Sequence, residues 1–276
     1  MTAATTTGPG TEPPDRPPAR PPGVSPMLVR LAGERATGAL LRDRGTLYLV
    51  DGQVVHAESP VAPGIDVLLT TSGRLRPEGW RQALDRAGAH GRVGRFLVES
   101  GQVADGELEI CHLGALHDAA YFALAPSSGP TRFRYGVAHW IGTVHPVPAE
   151  AVEREAARRR ELLDRLWPYP DIDTAPVVRA PSRPDAPVTP RQRAVLDLVD
   201  GVRTPPGIAR ALGRPAFHTL IDVRRLAAAG AVETPRAPVP EAPAVPARYA
   251  GAVAGVSPDP DVALLRRLRD ALEATL

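Results

Sequence analysis

Proline divides this chain into the parts that can fold and the parts that cannot. Of its 32 prolines, eight fall in residues 1–26, seven in 168–190 and seven in 235–260. Proline has no backbone N–H and a fixed φ, so it interrupts helices and sheets alike. A Pro-dense segment without apolar periodicity buries too little surface to offset its ordering entropy. The expected organisation is a disordered 1–26, a first folded module at 27–147 and a connecting helix at 148–167. A Pro-rich linker at 168–188, a second module at 189–234, a Pro/Ala-rich linker at 235–258 and a C-terminal helix at 259–276 complete it. The length of 276 residues agrees with two domains of roughly 150 residues each.

Composition removes several function classes. All 33 basic residues are arginine, which excludes a Schiff-base lysine and the lysine of a phosphate-binding loop. The formal charge of +2 is too small to mark a nucleic-acid coat or a membrane-surface protein. The single Cys111 excludes an intramolecular disulfide and a Cys-rich zinc site. No apolar run approaches the ~18 residues of a membrane span, and the first residues carry no apolar leader segment. A cytoplasmic protein with no membrane attachment is the expectation.

The first module opens as an antiparallel meander. Gly38–Arg42 is short and apolar, and Thr46–Val50 and Gln53–Glu58 flank Asp51-Gly52, a two-residue hairpin signal because glycine accepts positive φ. Helical spacing follows at Trp80, Ala83, Leu84 and Ala87, at 92–100 closed by Gly101, and at 104–124. Thr131–Tyr135 alternates as a strand. The helix at 149–166 carries Glu150–Arg154, Glu155–Arg159 and Glu161–Arg165 pairs at i,i+4 above a thin apolar stripe. That stripe leaves open a solvated connector or a dimerising helix.

The second module begins with the capping box Thr189-Pro190-Arg191-Gln192. Three helices follow, with a glycine turn at Gly213 between the second and third, and then a strand-like 231–234. This is a helix-turn-helix plan. Placing Phe217, Leu220 and Ile221 inward turns His218, Asp222 and Arg225 outward. The candidate DNA contacts are Arg214, His218, Thr219 and Arg225. Residues 189–234 hold seven arginines against four acids, whereas 27–150 hold twelve against thirteen. The positive excess lies where phosphate contact needs it. Asp222 on that face opposes phosphate, so DNA contact and a purely structural or protein-binding role both stay open.

No catalytic motif is present: no Gly-x-Ser-x-Gly, no His-Glu-x-x-His and no phosphate-binding loop. Cys111, His112 and His117 suggest a metal, but residues five apart lie about 140° apart around a helix, so the two histidines diverge. His56 reads as a packing histidine of the hairpin. The expectation is a non-enzyme with no metal and no cofactor. The fold class is α+β: a small antiparallel meander with helices, linked to a mainly helical winged-helix-like domain, with disordered Pro-rich tails.

Thr37-Gly38-Ala39-Leu40, followed by Gly45–Val50, Asp51-Gly52 and a strand ending His56-Ala57, resembles the PATAN-type domain. That family is named after the N-terminus of a cyanobacterial response regulator, and its domains are thought to mediate protein interactions in bacterial signalling. The family supplies no catalytic residues. The stretch Arg92-Val-Gly-Arg-Phe-Leu97 is similar to the N-terminal domain of secretion and pilus ATPases, some of which bind cyclic di-GMP. That similarity implies Arg92 as a nucleotide contact, on one motif copy with Val93 in place of leucine. The 189–234 module resembles winged-helix domains and, more loosely, MarR-like regulators. These resemblances imply a bacterial transcriptional regulator with double-stranded DNA and a signalling protein as partners, and a homodimer as its form. The alternative is a signalling adaptor that binds proteins through both modules and contacts no DNA; a cyclic-dinucleotide receptor is a third class.

Overall fold

In the meander, β1 (Gly38–Arg42), β2 (Gly45–Val50) and β3 (Gln53–Glu58) follow each other through tight turns. Asp51 and Gly52 both have positive φ, 53° and 78°, as a type I′ hairpin requires. Asp51 is held there by an ion pair from Arg35 and by its N–H donating to Thr37 Oγ1 at 2.9 Å. These details come from a computed structural model that describes residues 25–181 and 187–235. Most of the expected tail 1–26, the 235–258 linker after Pro235 and the helix at 259–276 lie outside the described residues.

Two further strands complete the sheet. β4 (Arg132–Tyr135) pairs antiparallel with β1, and β5 (Val147–Pro148) pairs with β3, giving the order β4-β1-β2-β3-β5. The β2–β3 register slips: Tyr48 faces His56, but Leu49 faces Val54, so Val55 is an extra residue. This is a β-bulge, which frees local backbone groups from the ladder.

Helices α1 (Pro26–Gly33), α2 (Ile65–Thr70), α3 (Pro77–Ala87), α4 (Val93–Glu99), α5 (Asp105–Ala123) and α6 (Ala149–Leu166) pack around this sheet. α1 and α2 have no counterpart in the sequence reading; at eight and six residues they are too short to display a period. α5 lies across β2 and β3, burying Leu116, Ala119 and Ala120 against Leu47 and Ala57. α6 differs from the expected connector. Val152, Ala156 and Leu163 are buried in the same cluster as α1 and α5, so its apolar stripe is already covered within the chain. The Glu150–Arg154 and Glu155–Arg158 ion pairs occupy its outer side, which made the helix look solvated, while Arg159 turns inward.

The segment expected as the 168–188 linker carries a 3-10 turn at Pro170–Asp173 and β6 (Val178–Arg179). α7 (Pro190–Leu196), α8 (Pro205–Leu212) and α9 (Ala216–Ala228) follow, and β7 (Val232–Glu233) pairs antiparallel with β6. The strand near 231–234 thus finds its partner upstream rather than downstream. The capping box forms: the Gln192 N–H donates to Thr189 Oγ1 at 3.3 Å, and the Thr189 N–H donates to Gln192 Oε1 at 2.9 Å.

The helical part does not stand apart from the sheet. Ala209, Ala216, Phe217 and Leu220 belong to the same buried cluster as Leu28, Leu40 and Val152. Arg159 of α6 donates to Asp118 of α5 at 2.6 Å, and its guanidinium lies 4.4 Å over the Phe217 ring. The described residues accordingly form one unit. The described fold is α+β, and among its residues no helix is long and apolar enough to cross a membrane.

Candidate functional sites

The most unusual chemistry in the fold gathers beside the bulge. Tyr48 on β2, His56 and Glu58 on β3, His112 on α5, and His139-Trp140 in the loop before β5 pack together. The His56 and His139 rings stack with centroids 4.0 Å apart, and the His112 ring lies 5.3 Å from His56. His56, His112 and His139 are all buried.

The hydrogen bonds assign the tautomers. The Ile141 N–H donates to His139 Nδ1 at 3.2 Å, so the proton of that ring sits on Nε2. That Nε2–H donates to Glu58 Oε1 at 2.8 Å, and the Tyr48 hydroxyl donates to Glu58 Oε2 at 2.9 Å. The His139 and Tyr48 donors hold Glu58 below the usual carboxylate range against the opposing effect of burial. Burial, with Glu58 as acceptor, raises the Tyr48 phenol. The Val55 carbonyl, the extra residue of the bulge, accepts from His112 Nε2 at 2.8 Å. Burial pushes His112 down to about 4 despite that bond.

His56 is different. It is 2% exposed, its Nδ1 is enclosed without a partner, and neither ring nitrogen hydrogen-bonds any described residue. Burial, with His139 and His112 beside it, drives its ionisation well below the ordinary histidine value, so the ring is neutral. His56, Glu58 and Trp140 line a cavity of about 380 Å³ together with the 59–66 loop. A larger groove of about 740 Å³ is lined by Arg30, Arg42 and Arg160 beside Ser25 and Pro26.

The sequence-derived DNA residues differ in exposure. Arg225 and His218 are exposed on α9, and Arg214 is half-buried with Nη1 enclosed and unpartnered. Thr219 is 1% exposed and cannot touch a duplex. Asp222, expected to point outward, is buried 3.7 Å from Arg191. Both corrections have one cause. α9 is packed on two sides, with Ala216, Phe217 and Leu220 in the sheet cluster and Val223, Leu226 and Ala227 in the helical cluster. The turn before α9 is covered as well. A Cβ on Gly213 would come within 2.8 Å of Thr71 Cβ and 2.9 Å of Ser72 N, at the end of α2. The Phe217 N–H donates to Asp118 Oδ2 at 3.3 Å. Arg92 is exposed at the cap of α4 and does not line the histidine cavity.

Sequence reasoning missed two features. His139 lies in an irregular loop, so nothing local joins it to His56. Arg224 looks like a solvated helical arginine but is 1% exposed, with bidentate bonds to Asp173 at 2.8 and 2.6 Å. No protein family, curated protein or solved structure matches the chain.

Proposed function

We propose that this chain is a non-enzymatic regulatory protein that acts by binding other proteins, a signalling adaptor whose PATAN-like and helical parts work as one body. The observation that carries this reading is the covered start of α9. A helix-turn-helix reads base edges with the N-terminal residues of its second helix. Here the Gly213 turn rests on α2, and the first turn of α9 is bonded to Asp118 of α5. A protein-binding surface is available instead at β4. Among the described strands β4 pairs only with β1, leaving one edge open, and Tyr135 beside that edge is 69% exposed. An open edge with exposed aromatic side chains suits addition of an extended strand from a partner.

The second reading is a transcriptional regulator with a winged-helix-like DNA-binding part. It draws on the exposed arginines Arg191, Arg193, Arg203, Arg210 and Arg225, all in the helical part. Chromosomal occupancy of the tagged full chain, beside an Arg225→Glu control, separates the two. The adaptor reading expects a flat profile for both proteins. Discrete peaks that vanish in the control would overturn it and install the regulator.

A further inference from the structure

We propose that His56, Glu58 and His139 form a binding site for a divalent transition-metal ion, with Zn²⁺ the best chemical match. One ligand atom from each residue lies within 4.8 Å of the others, and among the described residues no other three such side chains converge in this way. Two imidazoles and one carboxylate are the donor set of zinc sites that keep a fourth position for water. Ca²⁺ and Mg²⁺ are disfavoured because they require oxygen ligands. This inference is independent of whether the chain contacts protein or DNA.

The second argument is the state of His56. An imidazole 2% exposed, with Nδ1 enclosed and no hydrogen bond to any described residue, costs stability unless something occupies its lone pair. A metal ion does so without a proton. The third argument is access. His56 and Glu58 both line the 380 Å³ cavity, so an ion between them has an entry path and room for a bound water.

The geometry requires modest adjustment. Ligand atoms around a tetrahedral zinc sit roughly 3.4 Å apart, so from separations within 4.8 Å the contraction needed is at most about 1.4 Å. Glu58, with a side chain 45% exposed, has the freedom to move. The ion takes the place of the His139 proton that now bridges to Glu58. That proton passes to Nδ1, and the 3.2 Å contact from the Ile141 N–H is given up. The Tyr48 hydroxyl stays on Oε2, leaving Oε1 for the metal and orienting the carboxylate from outside the coordination sphere.

The test titrates the chelator-treated full chain with Zn²⁺ by calorimetry and with Co²⁺ by visible absorption. One equivalent of Zn²⁺ and the absorption of four-coordinate Co²⁺ are expected. His56→Phe and Glu58→Gln should each weaken binding by at least about 100-fold, beyond the effect of losing an outer partner. The exposed pair His145–Glu109 is the obvious adventitious site, so His145→Ala must leave the titration unchanged. Absence of saturable binding overturns the proposal. So does binding that survives both cluster variants or disappears with His145→Ala. Should His56→Phe not fold, Zn²⁺-induced shifts of the His56 and His139 ring signals in the unaltered protein decide, and unmoved signals reject the site.

Discussion

Arg224 and His56 are both almost wholly removed from solvent, at 1% and 2% exposure, yet their surroundings treat them in opposite ways. Every nitrogen of the Arg224 guanidinium is bonded: two to Asp173, and Nη1 to the Trp167 carbonyl at 2.6 Å and to Asp164 at 3.3 Å. The His56 ring makes no hydrogen bond to any described residue. A buried charge survives only where its desolvation is repaid by close partners, so the Arg224 cluster is complete in itself and ties α9 to the 164–173 segment. A neutral imidazole tolerates burial without partners at lower cost, which leaves its lone pair available. The difference teaches that burial alone does not distinguish structural polar groups from functional ones. The unmet bonds do.

The comparison breaks most readily at Arg224. Arg224→Met leaves the Asp173 carboxylate buried and unpaired, with an expected loss of about 3–5 kcal/mol. The double variant Arg224→Met with Asp173→Leu removes both charges and should recover much of that loss. Denaturant unfolding of the three proteins measures it. A single-variant loss under about 1 kcal/mol would mean that the cluster is not closed.

The next effect tests whether the helical part is seated on the sheet module. Gly213 and Gly73 both have positive φ, 61° and 78°. A side chain at Gly73 meets nothing within 4 Å, whereas one at Gly213 runs into the backbone of Ser72. Gly73→Ala therefore incurs backbone strain alone, about 1–2 kcal/mol. Gly213→Ala incurs that strain plus displacement of the turn, and its loss should be larger by about 1–3 kcal/mol. Equal losses would show that the turn is free of α2, and would return the start of α9 to duplex DNA.

The sheet was legible because its signals are local. Asp51-Gly52 fixes the hairpin through two backbone angles, and the strands around it alternate or run apolar over five or six residues. The second module was legible for the same reason: the Thr189 box, the Gly213 turn and the apolar spacing of α9 are each contained within a few residues. What failed was long-range. Nothing in residues 216–228 tells that one face of α9 meets Asp118 and Arg159, which lie 99 and 58 positions upstream of Phe217. The choice of Thr219 as a DNA contact and the outward assignment of Asp222 assumed one buried face, and the helix has two. The histidine site failed for that reason too. His56 was read correctly as buried, but its partner His139 carries no periodic signal.

A smaller effect lies at the outer edge of the arginine network. Glu155 accepts from Arg158 at 2.7 and 2.8 Å and from Arg159 Nε at 2.8 Å. Arg158 first, and then Arg159, hold its carboxyl at about 2, below the ordinary glutamate value of 4.5. A carboxylate lowered in the folded state stabilises above the unfolded value, and the benefit is lost as pH falls from about 4.5 towards 2. Glu155→Gln should be less stable at pH 6 by under about 1 kcal/mol, and the gap should close on acidification. A gap that is constant with pH would show that packing, not charge, is the role of Glu155.

The smallest expected effect bears on the open cluster and is the most diagnostic. Replacing His56 with phenylalanine removes no hydrogen bond to any described residue and relieves the cost of an enclosed, unpartnered nitrogen. In metal-free buffer His56→Phe should therefore lie within about 1 kcal/mol of the parent chain in either direction. With Zn²⁺ added the two must part. A ligand that binds only the folded state adds RT ln(1 + [L]/Kd), about 2.7 kcal/mol at one hundred times Kd. The parent chain gains that increment and the variant does not. A large loss in metal-free buffer would mean that His56 is as closed a structural group as Arg224. Equal gains from Zn²⁺ would place the ion elsewhere, and a gain confined to the parent chain makes His56 one of its ligands.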